Sequence, residues 1–290
     1  YNDRETRLYK GIAIGENGRW SCTIPMPSEI ENNYSPARLV FYAYSDNGIE
    51  ANGSNEDFYV YGMNPDAPED NEGPQIHQFA LNRADNPDGC IVHTTPTVLA
   101  SFSDESGINI SDVGIGHKLR LTLDEKTTYD DLNLHYTPDP FDYRAGSIIY
   151  PMPELTPGEH SLKLTVWDNA NNCTTRELSF IVAAAKQASI FDLSTDCNPA
   201  TTSVTFSIDT DRPLSKLGCL VEVFDIGGRK VWSKRSDSET GSDSSIRMQW
   251  NLTDHNGIRV PRGIYLYRAT VTSPDGAETS ETRKLAVTAP

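Results

Sequence analysis

Apolar residues in this chain recur at every second position, and that spacing limits the folds open to it more than any other feature. Val98, Ala100 and Phe102 alternate with polar neighbours, as do Leu119, Leu121 and Leu123, then Leu162, Leu164 and Val166. Val204, Phe206 and Ile208 repeat the pattern, followed by Ile246, Met248 and Trp250. A period of two sets one side of a strand on a core and the other in water. Turn dipeptides separate the runs: Asn47-Gly48, Asp88-Gly89, Pro157-Gly158, Gly227-Gly228, Asn256-Gly257 and Asp275-Gly276. No amphipathic helix of three turns can be drawn. The fold class expected is all-β, with tandem Ig-like β-sandwich domains.

Two seams suggest where the chain divides. The first, 63–74, is polar and broken by prolines, so it sustains neither helix nor ladder strand. The second, 182–189, is shorter. The expected units are 1–71, 73–184 and 188–290. The first holds four short strands at most (6–14, 20–25, 37–45 and 57–61), too few for a domain of its own. It reads as the C-terminal strands of a preceding β-domain, the alternative being a segment packed on the middle sandwich, and the chain as part of a larger precursor.

Charge separates these units further. Basic and acidic residues number 25 and 41, a net of −16. Residues 1–72 carry −8, 73–187 carry −7, and 188–290 only −1. Such acidity argues against a nucleic-acid partner, which needs a basic face. No run of 18 apolar residues exists, so no membrane-spanning helix is expected. The nearly neutral last unit can approach another surface with little repulsion and is the better docking candidate.

Catalytic signals are sparse. The five cysteines form no CxxC pair and lack zinc spacing. Cys90 with Cys173, and Cys197 with Cys219, are candidate disulfides, the alternative being small buried hydrophobes. Six histidines stand singly, and nucleophile elbows, phosphate loops and dinucleotide loops are missing. No cofactor is expected, and no catalytic residue can be named. Two acidic loops invite a calcium reading, with Asp104, Asn109 and Asp112 in one and Asp168, Asn169 and Asn172 in the other. Hard cations want clustered oxygens. Asp and Asn also close turns through their own backbone, and that structural reading is favoured. Tyr34, Tyr42, Tyr44, Tyr59 and Tyr61 offer an aromatic platform of the kind glycans stack on, or else cross-strand packing, which is favoured.

Several of these strings also resemble a known family. They are Gly73-Pro74-Gln75-Ile76, the stretch 102–109 (Phe-Ser-Asp-Glu-Ser-Gly-Ile-Asn), 114–117 (Gly-Ile-Gly-His), Leu155 to His160, and 166–172 (Val-Trp-Asp-Asn-Ala-Asn-Asn). Together they resemble the post-catalytic region of the gingipain-like, PorU-like sortases of the type IX secretion system. The last hundred residues resemble that system's C-terminal signal domain, a small Ig-like sandwich of the flagellar-hook-cap kind. The matching positions include Asn198-Pro199, Gly227-Gly228, Trp250, Gly257, Gly263 and Tyr265. Cys197 and Asn251 depart from the pattern.

The resemblance implies accessory β-domains of an exported cysteine peptidase at the outer-membrane surface of a Gram-negative bacterium. That enzyme removes C-terminal signals from cargo and attaches the cargo to anionic lipopolysaccharide. Its catalytic domain would lie upstream of Tyr1, leaving this stretch non-catalytic. Residues 188–290 would meet an outer-membrane barrel protein and other secretion components. The alternative is a cargo adhesin or glycan-binding surface protein whose last domain is a cleavable export signal.

Overall fold

The computed structural model describes residues 7–288, apart from 29, 31–35, 46, 63, 67, 112–115, 184–186, 242–243 and 275. The fold is all-β. Strands β1 (Pro36–Tyr44) and β2 (Glu50–Tyr59) form a two-stranded ribbon. The middle of the chain supplies β3 (Gln75–Leu81), β4 (Cys90–Val92), β5 (Thr97–Ser103), β6 (Arg120–Leu123), β7 (Thr127–Tyr129), β8 (Tyr136–Pro138), β9 (Ala145–Pro151), β10 (Gly158–Trp167) and β11 (Cys173–Val182). The last part supplies β12 (Ile190–Thr195), β13 (Val204–Thr210), β14 (Lys216–Phe224), β15 (Lys230–Glu239), β16 (Ser245–Trp250), β17 (Gly263–Thr272) and β18 (Glu278–Val287).

Two sandwiches follow in tandem. In the first, the sheet β4-β11-β10-β6-β7 faces the sheet β3-β5-β9-β8. Val98, Ala100 and Phe102 on one side and Leu162, Leu164 and Val166 on the other are all buried, as the alternation requires. In the second, β12-β13-β16 faces β15-β14-β17-β18. Its core is aromatic. Phe206 lies 6.5 Å from Trp250 and 4.9 Å from Tyr267, ring to ring, and the Trp250 indole N–H donates to the Thr253 carbonyl at 2.7 Å. The two cores draw on separate residues, Phe79 to Val182 and Ala188 to Val287. Where the sandwiches meet, the Arg83 guanidinium sits 4.1 Å over the Phe191 ring. The Thr97 hydroxyl also donates to the Pro213 carbonyl at 3.5 Å.

The N-terminal part differs from expectation. Strands were expected at 6–14 and 20–25; residue 6 lies outside the described residues, and 7–15 and 20–28 form no ladder. Extended backbone becomes a strand only beside a partner edge, and a single bridge between Glu16 and Arg19 is what forms here. The segment lies as an arm along the middle sandwich instead. Tyr9 packs against its core, and the Ser28 N–H donates to the Asn169 carbonyl at 2.8 Å. Pro25 seats on Gly107, where φ is +79° and a Cβ would stand 3.1 Å from the proline ring.

Both candidate disulfides are corrected. All five cysteines are thiols. Cys90 pairs beside Phe180 on β11, whereas Cys173 opens the same strand beside Trp167. Seven residues of strand separate them by roughly 23 Å, far beyond the ~7 Å a disulfide can span. Cys219 is buried midway along β14, while Cys197 sits past the end of β12 with its thiol on the Ser203 carbonyl at 3.3 Å.

Candidate functional site

A cluster of three carboxylates lies where the first linker meets the middle sandwich. The loop after β5 brings Asp104, and the turn after β10 brings Asp168. The linker adds Asp70, which no sequence pattern singled out. One carboxylate oxygen from each falls within 4.8 Å of the others. Asp104 sits half-buried and closes its own turn by accepting the Ser106 N–H at 2.8 Å. Asp168 is fully buried. It accepts the N–H groups of Ala170 and Asn172 at 2.9 and 2.8 Å, and the Asn172 amide at 2.9 Å. Ser106 donates its hydroxyl to Asp70, and the Asn172 amide also donates to the Asp70 carbonyl.

Electrostatics follow from this crowding. Burial, reinforced by the Asp168, Asp70 and Glu105 charges, pushes the Asp104 carboxyl up to about 6. Burial also lifts Asp168 above the ordinary carboxylate range, although the bonds from Asn172 pull it back. Three hard oxygen donors could hold a hard cation such as calcium. The same side chains also tie three loops together through ordinary turn hydrogen bonds.

Of the other singled-out residues in the two acidic loops, Asn172 joins this cluster through its amide, whereas Asn109 and Asn169 turn elsewhere. The Asn109 side-chain oxygen Oδ1 turns to Ser111, accepting its N–H and hydroxyl at 3.1 and 2.7 Å. The Asn169 amide donates to the Ser106 carbonyl at 3.0 Å and so braces the loop. Asp112 lies outside the described residues. On the ribbon, Tyr42 faces Asn52 and Tyr44 faces Glu50, and the two exposed rings lie 6.5 Å apart along the same strand. Tyr34 lies outside the described residues.

In the C-terminal sandwich the singled-out residues fall at turns and core positions. Asn198 clamps the free edge of β18, accepting the Ala286 N–H at 3.0 Å and donating to the Lys284 carbonyl at 3.1 Å. Pro199 follows it and leads into Ala200, whose N–H reaches the Ala286 carbonyl at 2.8 Å. This strip covers an edge otherwise open to intermolecular pairing. Gly227 and Gly228 form the β14–β15 turn, Gly257 the turn after β16, and Gly263 opens β17. Trp250 and Tyr265 lie in the core, the Tyr265 hydroxyl donating to the Pro261 carbonyl at 2.7 Å.

Sequence reasoning missed Glu222. It lies between buried Val221 and Val223, so alternation sends it to solvent. It is nonetheless 7% exposed, because Lys230 (3.1 Å) and Arg268 (2.5 Å) fold over it. The Arg268 bond, followed by Lys230, outweighs burial and holds its carboxyl below the usual range.

The chain is similar to PorU. The crystal structure of dimeric latent PorU from Porphyromonas gingivalis shares 33% identity with it over 91% of this chain, with a TM-score of 0.44. This chain spans 25% of the length of that PorU structure. Bacteroides ovatus SGBP-B, solved with a mixed-linkage heptasaccharide, is 14% identical over 87% of this chain and 52% of its own, with a TM-score of 0.33. The Ig1-2 module of the Drosophila receptor tyrosine phosphatase DLAR is 6% identical over 76% of this chain and 100% of its own, with a TM-score of 0.28. No family model matches the chain, and no curated protein does. Among the described residues no helix is long and apolar enough to cross a membrane, which says nothing of β-barrels.

Proposed function

We propose that this chain comprises accessory, non-catalytic β-domains of a PorU-like cell-surface peptidase. In this reading 73–184 is a spacer sandwich and 188–290 a docking module that meets an outer-membrane barrel partner. The parent would be a gingipain-like cysteine peptidase, its catalytic domain elsewhere in the longer protein. It would remove the C-terminal signals of type IX secretion cargo and transfer the cargo to anionic lipopolysaccharide.

One observation carries this reading. The C-terminal sandwich has a complete core of its own from Ala188 to Val287, and its exposed β18 edge is clamped by Asn198. Its sequence charge is −1, against −15 for the rest of the chain. A self-contained, nearly neutral sandwich on an acidic support is suited to meeting another surface. The similarity to PorU agrees with it.

Pull-down of the barrel partner tests the proposal, comparing the whole chain with a form ending at Ala183. Capture by the whole chain and loss with the shorter form is expected. Equal capture by both would remove the docking role from residues 188–290. Mass spectrometry of the cell-surface protein checks the retained C-terminus, since a terminus cut near the second seam would instead indicate a cargo protein.

A further inference from the structure

The two ends of the C-terminal sandwich differ in what they present. The near end carries Phe191 and Pro213, where the middle sandwich touches it. At the far end the chain turns between β14 and β15 at 225–229 and after β16 at 254–258, and it enters β17 at Gly263. Each of these places exposes an isoleucine: Ile226 is 90% exposed, Ile258 65% and Ile264 51%. Ile226 and Ile258 sit on hairpin tips, which normally carry polar or turn-forming residues, and Ile264 stands exposed at the start of β17, so one end of the domain presents three aliphatic side chains.

The charges at that end are arranged to match. Asp225 accepts the N–H groups of Gly227 and Arg229, Asp254 those of Asn256 and Ile258, and Asp196 that of Thr205. Each carboxylate therefore faces its own turn. Arg229, Arg259 and Arg262 stand exposed around the tips. Arg229 also bonds to Asp225 at 3.0 Å, and Arg259 reaches the Thr201 carbonyl.

We infer that this end binds a lipid bilayer carrying anionic phosphate headgroups. A protein partner would need a separate pocket for each of two convex tips besides a contact for Ile264. An acyl layer accepts protruding aliphatic side chains wherever they fall, and guanidinium groups at the rim pair with phosphates above it. Repulsion from the acidic remainder of the chain is screened. β17 alone has 10 residues, so the sandwich is roughly 33 Å long. That is about three to four Debye lengths at physiological salt. The inference goes beyond the docking reading above and does not depend on the barrel partner.

Co-sedimentation of the whole chain tests it, with vesicles of phosphatidylcholine alone and with 30% phosphatidylglycerol added as roughly the anionic content of a charged leaflet. Partition onto the anionic vesicles that weakens at high salt is expected. The double substitution Ile226→Ser with Ile258→Ser should lower it roughly tenfold or more while the melting temperature holds. Arg262→Glu should lower it in the anionic vesicles alone. No partition at physiological salt, or equal partition by the double variant, overturns the inference. So does loss of barrel capture by the double variant when vesicle binding is absent, since the tips would then be a protein contact.

Discussion

His160, near the start of β10, and Asp124, in the turn after β6, form a partly buried ion pair in the middle sandwich. The imidazole Nδ1 lies 2.8 Å from the Asp124 carboxylate, and Nε2 lies 2.7 Å from the Thr156 carbonyl. Both partners accept, so only the doubly protonated ring satisfies both at once. It is 9% exposed and stacks on Phe180 at 5.5 Å. Burial works against the charge, yet the Thr156 carbonyl and Asp124 outweigh it and raise the His160 pKa. For Asp124, burial is outweighed by the Ser161 N–H and by His160, and its pKa is lowered.

A pH dependence follows from the two signs. The raised His160 contributes stability that is complete below about pH 6.5 and is lost as pH climbs through the folded-state value. The lowered Asp124 contributes stability that is complete above about pH 3.9 and is lost on acidification. Thermal unfolding across pH should therefore show a loss of about 1 kcal/mol above neutrality, absent in His160→Gln. An identical alkaline slope in both proteins would refute the pairing.

Asp104 has the sign opposite to that of Asp124. Its carboxyl is pushed up to about 6 by burial and by three neighbouring acids, so the ionised form is disfavoured in the fold. Its contribution to stability falls as pH rises from about 4 through 6. Asp104→Asn keeps the acceptor for the Ser106 N–H and should melt higher than the natural chain at pH 7. The two should converge near pH 3, and differential scanning calorimetry at both values checks it.

Glu222 should matter more than any other charge on the outer face of its sheet. Truncation to Ala leaves Lys230 and Arg268 without the carboxylate both reach. A cost of about 1–2 kcal/mol in urea unfolding is expected, since both cations remain half in water. Removing Asp237 from its exposed pair with Arg235 (3.6 Å) should change nothing measurable. Equal effects would show that the burial of Glu222 is irrelevant.

The cysteines offer a chemical check on the fold. Cys22 and Cys173 are exposed, whereas Cys219 is buried and its thiol is pushed up to about 12 by burial. Maleimide should label the first two quickly and Cys219 only in denaturant. A reductant should leave the melting temperature unchanged. A reductant-sensitive melting temperature would restore one of the disulfides.

Alternation made the sandwiches readable in advance. Leu162, Leu164 and Val166 fall inside β10, and Ile246, Met248 and Trp250 inside β16, because a strand's period of two depends only on the residues in the strand. The same rule failed at residues 7–15, where no partner edge was available, and at Glu222, where long basic side chains closed over a nominally solvent-facing position.

The candidate site was half legible. Asp104 and Asp168 stand in loops rich in Asp and Asn, but Asp70 lies in a linker with nothing to distinguish it. Ser106 meets it across 36 positions of sequence and Asn172 across 102. Local propensity carries no signal for pairs so far apart. The all-β class, the core faces and the turns are written in the amino-acid order alone, since these follow from neighbours one or two residues away. Which loops met, which carboxylates were crowded and which isoleucines shared one end came only with the tertiary structure. There, sheet packing brings together groups that the chain keeps far apart.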